Sequence, residues 1–123
     1  MKKVLILACT IALFIAACYY DSEEYLYPVI SNSCDTTNIT FSGTITAILS
    51  NNCLSCHSNS TAASFGNNIK LQDYADVVSH NQRTIGAIKH DPGFFPMPQG
   101  GGKLNDCQIT QFQIWIRKGA PNN

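Results

Sequence analysis

NNCLSCHSNS, residues 51–60, sets two cysteines three positions apart and a histidine directly after the second. Cys53-Leu54-Ser55-Cys56-His57 has the Cys-x-x-Cys-His spacing of a c-type haem attachment site. The chemistry explains the spacing. Each thiol adds to one vinyl group of the porphyrin, the two-residue spacer matches the separation of those vinyls, and the next side chain places its imidazole beneath the iron. Two other uses of a thiol pair fit poorly. A thioredoxin-like dithiol belongs in a βαβ setting, and a structural zinc site takes four ligands, usually from a second cysteine pair. The chain has neither pattern.

Outward from the motif the sequence reads as helix and loop. From Ser42, apolar Ile45, Ile48 and Leu49 recur at helical spacing, predicting a short helix that runs into Cys53 and is capped by Ser42 or Gly43. Residues 58–68 are small and polar and read as loop. Leu71, Tyr74, Val77 and Val78 predict a second helix, and Ile85 and Ile88 a third that stops ahead of Pro92. FFPMPQGGGK, residues 94–103, holds two prolines and three glycines, so it is a loop. The last segment, Asn105 to Lys118, is the best-defined helix. It has a capping Asn105 or Asp106, apolar Ile109, Phe112 and Ile116 on one face beside Trp115, cations Arg117 and Lys118 in its last turn, and Gly119 beyond. No segment reads as a strand, so the fold class is all-α: three to five short helices in one small domain of 42–123.

The other end of the chain is organised differently. Lys2 and Lys3 precede fourteen apolar or small residues from Val4 to Ala17, which read as a secretory signal of residues 1–17, short of the ~20 residues a membrane span needs. Ile15-Ala16-Ala17-Cys18 resembles the lipobox of bacterial lipoproteins, which implies cleavage before Cys18, acylation of that cysteine and a lipid anchor in a membrane. Residues 18–41, with an acidic cluster at Asp21, Glu23 and Glu24, read as a tether. The exported chain would keep six Lys plus Arg against eight Asp plus Glu, a net charge of −2, with no basic patch for nucleic acid. Localisation is expected at a membrane, facing the periplasm or on the outer-membrane surface.

A six-coordinate haem iron needs a second axial ligand, and Met97, His80 and His90 are the candidates. Met97 is the one methionine left once the signal is gone, and it lies between Pro96 and Pro98, which lack N–H groups and have fixed φ angles. Forty residues separate it from His57, room for two short helices around one edge of a porphyrin. His90, before Asp91-Pro92, reads as a cap for helix carbonyls or a partner of a haem propionate, and His80 as a solvated helix residue.

TITAILSNNCLSCH, the Pro-Met-Pro segment and the tryptophan-bearing last helix together resemble single-haem class I c-type cytochromes, in particular small lipoprotein-type ones of environmental bacteria. The resemblance runs from about Ser42 to Pro121. It implies haem c held by Cys53 and Cys56, His57 as proximal and Met97 as distal axial ligand, and first and last helices that pack Ile45, Ile48 and Leu49 against Phe112, Trp115 and Ile116. Many members of that family carry a proline soon after the motif whose carbonyl accepts from the proximal imidazole. Here Ser58-Asn59-Ser60-Thr61 follows, and the sequence names no acceptor.

Cys34 and Cys107 are left over. A bridge between them would close a 73-residue loop and is expected to contribute about 4 kcal/mol through the unfolded chain; free thiols or an intermolecular bridge are the alternatives. With both axial positions filled, the expected function is a monomeric, membrane-tethered carrier that passes single electrons between redox partner proteins without being an enzyme. A haem-based sensor or peroxidase-like enzyme with an open or labile sixth position is the alternative.

Overall fold

The computed structural model describes residues 34–123, so the expected signal peptide, the lipidated Cys18 and most of the tether lie outside the described residues. Those residues form a compact unit from Cys34 to Asn123, all helix and loop, with no strand among them. A wide π-type turn over Phe41–Ile45 leads into α1 (Thr46–Asn52), followed by α2 (Leu54–His57), α3 (Ala62–Phe65), α4 (Tyr74–Lys89) and α5 (Asp106–Arg117). No helix among the described residues is long and apolar enough to cross a membrane.

Three local expectations change. The first helix is capped by Thr40, whose hydroxyl accepts from Gly43 N at 3.1 Å; Ser42 and Gly43 lie inside the turn. Residues 58–68 are interrupted by the single turn of α3. The second and third predicted helices are one, α4, sixteen residues long. The polar run Ser79 to Arg83 breaks the apolar period without breaking the helix, because none of its residues is a proline or glycine and each backbone N–H keeps its place in the ladder.

The core is the meeting of the chain's ends. Ile45, Ile48, Leu49, Phe112 and Trp115 belong to one buried cluster, with Ile116 packed on it half-buried. Phe112 and Trp115 are fully buried, their rings 5.6 Å apart at 71°. Phe41 adds a tilted contact to Trp115 at 5.7 Å and an edge contact to Tyr74 at 5.0 Å, so aromatics join the first turn, α4 and α5. Each polar handle on these rings is satisfied. Trp115 Nε1 donates to Pro121 O at 3.0 Å and Tyr74 Oη to Ala120 O at 2.7 Å. The tail then closes the first turn from below, with Phe41 N donating to Asn123 Oδ1 and Ser42 N to Asn123 O, both at 2.9 Å.

Helix α5 begins where its sequence says. Asn105 Oδ1 accepts from Gln108 N at 2.9 Å, Asp106 sits in the positive first turn and Arg117 in the negative last one. Gly119, at φ +87°, turns the chain out of the helix, a conformation that costs a residue with a Cβ. A Cys34–Cys107 disulfide fastens the leading segment to the first turn of α5, with Cα atoms 5.3 Å apart. Ile39, next along that segment, is buried in the same core.

Candidate cofactor cavity

Helix α1 hands directly to the thiol motif. Cys53 N still donates to Leu49 O at 2.8 Å, while Cys53 O accepts from Cys56 N at 3.1 Å and His57 N at 2.9 Å. One continuous turn therefore carries Cys53, Cys56 and His57, and all three line a single cavity of about 540 Å³. Burial pushes the half-buried Cys53 thiol up to about 11, whereas Cys56 is exposed.

His57 is held by the segment that follows α3. Asn67 and Asn68 both adopt left-handed backbone, φ +51° and +59°, which asparagine tolerates better than most residues. The reversal they make brings Ile69 O within 2.8 Å of His57 Nδ1, and Leu71 N donates to His57 O at 2.9 Å. A carbonyl only accepts, so Nδ1 carries a hydrogen, and in the neutral ring the lone pair left for a metal is on Nε2. Ile69 thus supplies the acceptor that the sequence did not name. Gly66 packs flat against this arrangement, since a Cβ there would lie 2.6 Å from Cys56 O and 2.8 Å from His57 Nδ1.

Met97 enters the same cavity from the opposite side of the sequence, on the loop after α4. Its N–H donates to Ala87 O at 3.1 Å and its carbonyl lies 3.1 Å from His90 Nε2. Neither of the other two candidate ligands lines the cavity. His80 Nδ1 faces Asp76 O at 2.9 Å on its own helix, and the His90 ring turns to Met97 O rather than to helix carbonyls. The structure brings Cys53, Cys56, His57 and Met97 to one cavity and leaves His80 and His90 off it.

The remaining lining is apolar on one side and open on the other. Ile69, Leu71, Ala87 and Ile88 form a dry wall, with Thr84 the buried hydroxyl and Arg83 the cation of the lining. At the rim stand Phe65, 70% exposed, Phe94, 41%, and Phe95, 64%, three large apolar side chains that a soluble surface normally covers. Arg83 and Phe65 were not singled out from sequence, because a lone arginine in a polar helical stretch and a phenylalanine in a loop carry no spacing signal.

Does this cavity suit the group its motif names? Its volume falls in the range of cofactor sites, ~300–1,000 Å³. Its donor set is two thiols, an imidazole with a free nitrogen and a thioether sulfur, around an apolar wall with one cation. Among the described residues no three His, Cys, Asp or Glu side chains converge as a metal cage. The residues fit a porphyrin attached by its edge and ligated through its metal. Comparison with family models, with curated proteins and with solved structures returns no match to this chain.

Proposed function

We propose that the chain is a single-haem c-type electron carrier, tethered to a membrane through Cys18 and serving redox partner proteins on the exported side. The observation that carries the reading is that Cys53, Cys56, His57 and Met97, spread over forty-five residues, line one cavity while His57 is held with Nε2 free. Cys53 and Cys56 would fasten the porphyrin as thioethers, His57 and Met97 would take the two axial positions, and Arg83 would answer the porphyrin's carboxylates. Bound haem c supplies one-electron chemistry at iron.

The protein's contribution is to hold that iron still. An imidazole fixed through Ile69 O and a sulfur on a loop between prolines would be the two side chains that hold the iron, leaving little of the protein to rearrange when an electron moves. The soft Met97 sulfur would favour the ferrous state and raise the potential of a bound haem. The Phe65, Phe94 and Phe95 rim gives a small apolar landing area, suited to brief contacts that bury little surface. Such contacts release quickly, as a carrier requires.

The test is expression of the full chain in a bacterium that matures c-type haem. The expected product is red, heavier than its polypeptide and lipid by one haem, and in the ferrous state refuses carbon monoxide. A colourless product with the mass of polypeptide and lipid alone overturns the proposal.

A further inference from the structure

We propose that His90 is the positioning residue for the Met97 sulfur, an inference that rests on the axial reading above. His90 ends α4 in the left-handed region, φ +58°, with its own N–H on Ala87 O at 3.2 Å and Asp91 N on Gly86 O at 2.9 Å. The turn throws its ring back across the loop, where Nε2 donates to Met97 O at 3.1 Å. Met97 N meanwhile donates to Ala87 O at 3.1 Å. Both backbone polar groups of Met97 are therefore gripped by the end of one helix, the N–H by a helix carbonyl and the C=O by the imidazole.

Nothing else in the loop does this work. Pro96 and Pro98 have no N–H to give. Upstream the loop is wedged by the Phe94 ring against Gly86, so tightly that a Cβ there would lie 2.6 Å from the ring. Downstream, three glycines run to Lys103, and their one backbone bond, Gly101 N to Pro98 O at 3.1 Å, is internal to the loop. His90 is thus the tie on the downstream side of Met97. Without it the Met97 carbonyl loses the imidazole that holds it, and the sulfur spends more time away from its aim.

The test compares haem-loaded wild type with His90→Asn and His90→Gln. Asparagine keeps the left-handed backbone but is too short to reach Met97 O; glutamine places an amide N–H about where Nε2 stands. The readouts are the sulfur-to-iron charge-transfer band of the ferric protein and the affinity for added imidazole, which competes with the sulfur for iron. Losing one hydrogen bond should raise imidazole affinity about five- to tenfold in His90→Asn and weaken the band, with His90→Gln restoring most of both. A wild type that lacks the band overturns the axial reading and this inference with it. A wild type with the band, and a His90→Asn variant that matches it in band and imidazole affinity, overturns the inference alone, even if the variant melts at lower temperature. Asparagine and glutamine variants that behave alike also overturn it.

Discussion

Replacing Gly66 with alanine tests how closely the imidazole of His57 is seated. The backbone is at an ordinary negative φ, so the substitution brings no conformational strain and its effect is steric. The new methyl carbon would stand 2.6 Å from Cys56 O, 2.8 Å from His57 Nδ1 and 3.1 Å from the Ala62 Cα. Carbon contacts are comfortable near 3.5 Å, so the ring must retreat by roughly 0.7 Å, a shift that disturbs its 2.8 Å bond to Ile69 O. Overpacking costs about 1–3 kcal/mol, the weakened bond adds up to about 1, and the stiffer unfolded chain returns about 0.4–1. The net expectation is a loss of about 0–3.6 kcal/mol against wild type, and of about 1–4 against a glycine-to-alanine control that gains the same chain term, read as a lower urea midpoint at unchanged slope. Gly102→Ala is the control, because a Cβ there meets nothing within 4 Å, and its midpoint should hold or rise slightly. If Gly66→Ala is as stable as Gly102→Ala, the close seating of the imidazole is refuted.

Non-reducing peptide mapping should recover Cys34 joined to Cys107, and Cys34→Ala with Cys107→Ala should cost about 4 kcal/mol; both cysteines alkylating without reductant would contradict this. Asn105→Ala removes the cap of α5 and should lower stability by about 1 kcal/mol in thermal or urea unfolding, with Asn105→Asp close to wild type. In the bare polypeptide, the unfolded chain gives up the Cys53 proton near its ordinary value of 9.0 and the folded chain near 11. From pH 9 to 11 the unfolded state binds fewer protons, so stability should fall across that window, and fall less in Cys53→Ala. Equal slopes for the two chains would remove burial of that thiol from the account.

The parts of the fold that were legible in sequence are those where chemistry is local. Helix α5 shows its start in Asn105, its buried stripe in Ile109 and Phe112 and its end in Gly119, because caps and periods are written in neighbouring residues. The thiol motif and the proline-flanked Met97 were legible for the same reason. The continuity of α4 was not, since Ser79 to Arg83 has no apolar period, and the helix is carried through it by its unbroken backbone ladder and by the burial of Val77, Thr84 and Ile88 on either side. Ile69 as the partner of His57 was beyond reach as well. A backbone carbonyl is common to every residue, and what aims this one, twelve positions from the ring it meets, is a reversal at Asn67 and Asn68.

The glycine run at 100–102 is exposed, and at Gly100 and Gly102 no atom lies near where a side chain would stand. A protease that enters the fold would cut there first. Cys34 lies on one side of such a cut and Cys107 on the other, so the two pieces stay covalently joined, and α5 keeps its Trp115 in the core. A clipped protein would run on a gel as a whole one until a reductant separates it, and the clip would lie only a few residues from the sulfur on which the proposed chemistry depends.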